Sequence, residues 1–177
     1  MKSTLPYLVL CFLFLVFSGI GSIDTETTLF GLPIAKAEEG TKPSQTTNTR
    51  PCKPTPPDAL GPFYVPNSPE RTRVDAGHML CGIVRSSVDC SPVIGVRIEF
   101  WLAGPDGNYD DDHRATMFSD KTGLYKFESN FPPPYRGRPS HIHMKITARG
   151  YQTLVTQYYP AHGKTKGEFD VVLIPED

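Results

Sequence analysis

VIGVRIEFWLA, Val93 to Ala103, is the stretch on which the fold turns. Val96, Ile98 and Phe100 fall on one side of an extended chain, and Arg97 and Glu99 on the other. That two-residue period predicts a half-buried strand. Working outward, similar short runs recur between turn signals: MLCGIVRS, RATMFS, LYKFES, HIHMKITA, TLVTQYY and EFDVVLI. Asp106-Gly107, Lys121-Thr122-Gly123 and Arg149-Gly150-Tyr151 read as turns between them. No helical period competes, and 18 prolines with 15 glycines favour a turn-rich chain. The expected fold is all-β, an antiparallel β-sandwich of about seven to eight strands.

The strands occupy residues 59–177, which read as one domain. Before them, residues 38–58 are polar, proline-rich and aperiodic, as in an arm. Lys2 followed by an apolar run from Leu5 to Ile20 reads as a secretory signal within 1–37. Cleavage is expected after Ala35-Lys36-Ala37, or earlier near Gly21-Ser22. The alternative is an uncleaved anchor, but the run is short of the roughly 20 residues that a spanning helix needs. Export is therefore expected, with no stable membrane insertion once the signal is removed. In an oxidising compartment cysteines pair. Cys52 and Cys90 lie beside prolines in loop-like sequence and are the expected pair, while Cys81 in LCGIV reads as a buried thiol. With 18 basic and 19 acidic residues, net charge −1, nothing draws the chain toward nucleic acid.

Two of the five histidines, His141 and His143, stand two residues apart in HIHMKITA. On a strand they share one face, about 6–7 Å apart at the backbone, and can converge on one metal ion. A polar, solvated strand face is the plainer alternative. Further ligands would have to come from oxygen donors, and Tyr109 and Tyr135 lie in nearby sequence, although spacing does not single them out from eight tyrosines. Two phenolates and two imidazoles suit ferric iron better than zinc or copper(I). The Asp110–Asp112 run with His113 reads as a solvated loop. Tyr64, Tyr125, Tyr158 and Tyr159 read as packing residues, Trp101 as core, and His78 and His162 as surface or loop residues.

GPFY at 61–64, IEFWLAGPDGNY at 98–109, TGLYKF at 122–127, PPPYRGRPSHIHMKI at 132–146 and LVTQYYP at 154–160 occur together in this order. In that combination the chain resembles the intradiol ring-cleavage dioxygenases, and among them the short exported members. The resemblance implies Fe(3+) held by Tyr109, Tyr135, His141 and His143. It implies Arg138 as the active-site arginine, Gln157 near the substrate, and Gly61 and Pro62 lining the pocket. A catechol-type substrate and O2 would be the partners, and Tyr135 the ligand that leaves and accepts a proton. Only Arg136 and Gly137 separate Tyr135 from Arg138, where the better-known enzymes have a longer loop, so substrate choice does not transfer. No counterpart of the catechol enzymes' N-terminal helical domain is read in the chain, so their oligomeric state does not transfer either. The rival readings are a non-catalytic exported β-sandwich that binds partners or acts as a spacer, and a metal-binding but inactive descendant.

Overall fold

The structure, a computed structural model, describes residues 51–177. The expected export signal, its cleavage site and most of the arm lie outside those residues. Eight strands form two sheets: β1 (His78–Ser86), β2 (Arg97–Leu102), β3 (Arg114–Phe118), β4 (Leu124–Ser129), β5 (Ile142–Thr147), β6 (Leu154–Tyr158), β7 (Lys166–Glu168) and β8 (Val171–Leu173). One sheet runs β4-β1-β7, with β8 also paired to β1, and the other runs β3-β2-β5-β6. This is the expected β-sandwich. Phe100 of β2 stacks on Phe127 of β4 with ring centroids 4.2 Å apart. Around that pair Leu80, Val84, Ile98, Met144, Ile146 and Leu173 close a continuous apolar core.

Two local expectations change. EFDVVLI, read as one strand, is broken into β7 and β8, and both pair with β1 in parallel rather than antiparallel fashion. The break falls at Phe169 and Asp170. Phe169 N–H donates to Cys81 O, and the Asp170 carboxylate accepts from Ile83 N–H, so a side chain replaces one rung of the ladder. β2 is also buried on both faces, with Glu99 only 1% exposed, where a half-buried strand was expected. The reason is a cover that alternation cannot register. Residues 58–74 fold across the outer face of the β3-β2-β5-β6 sheet: Tyr64 packs edge-on against Trp101, and Thr116 N–H on β3 donates to Pro69 O.

Tyr125 and Trp101 are buried, as expected. His78 is not a surface residue: it opens β1 at 1% exposure, Nδ1 donates to Lys164 O, and its ring lies along Tyr158. Cys52 and Cys90 form the expected disulfide, with Cα atoms 5.3 Å apart. Cys81 is half-buried and directs its thiol toward Gly167 O. Among the described residues, no helix is long and apolar enough to cross a membrane.

Candidate metal and substrate site

Antiparallel register places the site. Trp101 of β2 stands opposite His143 of β5, and His143 stands opposite Gln157 of β6. These three therefore share the outer face of one sheet, beneath the cover of residues 58–74. His141 immediately precedes β5, and its ring lies 4.7 Å from that of His143. Tyr109, on the loop after β2, brings its hydroxyl to 3.1 Å from His141 Nε2. Tyr135 meets the Tyr109 ring edge-on at 5.5 Å. The four residues read as ligands are thus brought together by three separate segments.

Each is oriented by its neighbours. His141 Nδ1 lies 2.7 Å from Pro139 O, which can only accept, so Nδ1 carries the proton and Nε2 turns a lone pair toward Tyr109. The Trp101 indole stacks flat on the His143 ring, 4.9 Å away and 7° from parallel. Phe63 lies parallel to Tyr109 at 4.4 Å and edge-on to Tyr135. Arg114, a buried residue of β3, donates to Phe63 O and Tyr109 O and so ties the covering segment to the Tyr109 loop.

Gly61 sits at φ +73°, and a Cβ there would lie 2.9 Å from His143 Cε1, so the covering segment presses on that ring. Pro62 is exposed beside it.

Tyr135 and Arg138 flank a two-residue turn. They exchange both backbone hydrogen bonds, at 3.1 and 2.8 Å, while Arg136 and Gly137 take φ +44° and +77°. Two central residues with positive φ make a type I′ turn, the tightest hairpin available. A hydrogen-bonded cross-strand pair puts both side chains on one side, so the short YRGR spacing itself sets Arg138 beside Tyr135. Arg138 Nη2 donates to Gln157 Oε1 at 2.8 Å and to Tyr159 Oη at 2.9 Å. Tyr159 is thus corrected from a packing residue to a half-exposed member of the site. Tyr64 packs on Trp101 as expected, but its hydroxyl also accepts from Lys145 and donates to Glu99.

Burial sets the protonation states. The His143 pKa falls to about 4, first through burial and then through repulsion from His141 and Arg138. Burial also lowers His141, with Arg138 adding to the effect, and raises the Tyr109 phenol, opposed by Arg138. Without a cation all three are neutral at ordinary pH. Two donors each about 2.0–2.1 Å from one ion stand roughly 3 Å apart at a right angle, close to the Tyr109–His141 separation. His143 Nδ1 is buried with no hydrogen-bond partner. This donor set fits a hard trivalent cation, which would replace the Tyr109 proton.

Asp110 to Asp112 are exposed, and Asp110 closes a short 3-10 turn by accepting from His113 N–H and Nδ1.

No family profile matches the chain. It is 30% identical over 156 residues to a catechol 1,2-dioxygenase of Candida albicans, an alignment covering 67% of this chain and 51% of that one. It is 32% identical over 135 residues to a hydroxyquinol 1,2-dioxygenase of Nocardioides simplex, covering 56% of this chain and 45% of the relative. The dioxygenase domain of a dioxygenase–carbohydrate-binding fusion from a cellulolytic Streptomyces superposes with a TM-score of 0.62 at 29% identity, covering 70% of this chain and all of that domain. The chain belongs to the intradiol ring-cleavage dioxygenase family. It spans about half the length of the curated relatives it matches. Within the family's sandwich, the residues that sequence reading left out of the site are Trp101 as a stacking plate, Phe63, Arg114, Tyr159 and Asp58. Of these, Phe63, Trp101 and Tyr159 lie inside GPFY, IEFWLAGPDGNY and LVTQYYP, whereas Arg114 and Asp58 lie outside the motifs that carry the resemblance.

Proposed function

We propose that the chain is a non-haem ferric intradiol dioxygenase that opens catechol-type rings between the two hydroxyls with O2, giving muconate-type diacids. Tyr109, Tyr135, His141 and His143 would hold the iron. The observation that carries this reading is the Tyr109 hydroxyl 3.1 Å from a His141 nitrogen whose lone pair is directed by Pro139. Bound there, ferric iron would act as a Lewis acid that acidifies both catechol hydroxyls and opens the ring to attack by O2.

The chain's own residues do the rest. Tyr109, stacked under Phe63, and His143, stacked under Trp101, are held in place by aromatic contact. Tyr135 is partly exposed at the end of the tight turn, so its Oη can move away and take a proton from a substrate hydroxyl. Arg138, beside it on the hairpin, offers a permanent positive charge to the anion that builds on the ring. Gln157 holds Arg138, and its Nε2 donates to Ala59 O, fastening the cover over the site. A binding or spacer module would leave this convergence of tyrosines, histidines and arginine without a task.

We also propose that the chain is exported. The Cys52–Cys90 disulfide suits an oxidising compartment.

The test is oxygen uptake by the iron-loaded protein over a panel of catechols, with product identification. Stoichiometric uptake with a ring-opened diacid supports the reading. An iron-replete protein that leaves every catechol intact would sink it.

A further inference from the structure

We propose that Asp58 and Tyr159 are positioning residues, which hold Nη2 of Arg138 through a relay of hydrogen bonds and leave Nε and Nη1 for the bound substrate. The proposal rests on the reading of Arg138 as the substrate-side cation. Among the described residues, Arg138 has no carboxylate within ion-pair distance. Its side-chain bonds both leave from Nη2, toward Gln157 Oε1 and Tyr159 Oη.

Tyr159 Oη, accepting from Arg138, has one proton to give. Asp58 Oδ2 is 2.7 Å away and anionic, while Gln157 Oε1 is 3.1 Å away and already accepts from Arg138. The proton therefore goes to Asp58, and the order runs Arg138 to Tyr159 to Asp58. Asp58 is itself fixed. Its Oδ1 accepts from Ala59 N–H, and its own N–H donates to Val155 O on β6.

The arrangement has a chemical logic. A carboxylate paired directly with Arg138 would cancel the charge that the substrate needs. A phenol interposed between them transmits orientation and spares most of that charge. Exposure weakens isolated surface pairs, but here both ends are anchored to β6, Tyr159 by following Tyr158 and Asp58 by the bond to Val155. Asp58 lies where the sequence reads only a proline-rich arm, so the arm's last residue would help to set the active-site cation.

Asp58→Asn makes the sharpest test. An amide can still accept at Oδ1, but it offers N–H to a Tyr159 oxygen that already accepts from Arg138. Asp58→Asn, Tyr159→Phe and the double variant would be compared with the parent as iron-loaded full chains. Each single change is expected to lower kcat/KM for catechol about tenfold, with iron content and melting temperature unchanged. The double variant should be no worse than either single one, because the links act in series. A second readout avoids turnover: nitrogen NMR of the guanidinium groups in the metal-free chain should show faster rotation of Arg138 in both variants.

Parent-like kcat/KM in both single variants, additive losses, or unchanged Arg138 spectra would each overturn the relay. If the parent holds iron yet turns over no catechol, the proposed reaction fails, and the guanidinium spectra decide the relay alone.

Discussion

Tyr135 and Arg138 face the same space because two residues with positive φ separate them. This gives Tyr135 a role that the other three proposed ligands do not share. His141, His143 and Tyr109 are each held by a carbonyl or an aromatic plate, whereas Tyr135 meets Phe63 and Tyr109 edge-on and has only the exposed Arg136 guanidinium over its face. Tyr135→Phe is expected to lower kcat by roughly 10²-fold, as for loss of a proton acceptor, while most of the iron stays bound. Parallel metal analysis and kinetics check this, and parent-rate turnover would refute the leaving role. At this scale the sequence was informative where chemistry repeats a pattern: the HIH pair predicted two imidazoles on one face, and they lie ring to ring. It was silent on Trp101 beneath His143, which acts across strands that only the register aligns, and on Arg114 behind Tyr109, whose guanidinium turns back to carbonyls of its own loop and of the covering segment. Tyr159 looked like packing because a tyrosine's hydroxyl partner cannot be read from its neighbours in sequence.

Among the elements, the YRGR hairpin carries strain at a non-glycine residue. Arg136 at φ +44° occupies a region that costs an L-residue about 1–2 kcal/mol, and asparagine tolerates it better. Arg136→Asn is expected to raise the unfolding free energy by about 0.5–1 kcal/mol, measured by urea denaturation. A loss would show that the guanidinium lying over the Tyr135 ring outweighs the strain.

β1 makes a prediction about pH. Burial lowers the His78 pKa, opposed in part by the Lys164 carbonyl. As pH falls, the unfolded chain binds that proton first, near its ordinary value of about 6.5. The stability His78 contributes is thus fully present above that value and is lost as the pH drops toward the lowered folded one. His78→Asn keeps a donor for Lys164 O and removes the titration, so stability should fall less steeply between pH 7 and pH 5. An unchanged slope would assign the acid loss to His141 and His143. The strands themselves were legible from alternation. The double burial of β2 and the break at Asp170 were not, because a covering segment and a side chain that replaces a ladder bond leave no period behind.

In the whole molecule, the segment before the sandwich is part of its architecture. Thr55 N–H donates to Val172 O on β8 and Asp58 N–H to Val155 O on β6, and the Cys52–Cys90 bridge closes a span of 38 residues. Replacing both cysteines by serine should cost about 2–4 kcal/mol, read as a lower denaturation midpoint, with iron affinity retained. Loss of iron binding without loss of stability would mean that the bridge holds the site rather than the fold. A polar, proline-rich composition marked this stretch as an arm, and nothing in its sequence records how closely its end is bonded.

Tyr109, Tyr135, His141 and His143 are proposed to hold ferric iron with room for a catechol. The most direct measurement is the visible absorption spectrum of the iron-loaded protein, before and after catechol is added without oxygen. A tyrosinate-to-iron band is expected, and it should move to longer wavelength when catechol binds. A fully iron-loaded protein that is colourless, and stays so with catechol, would contradict it.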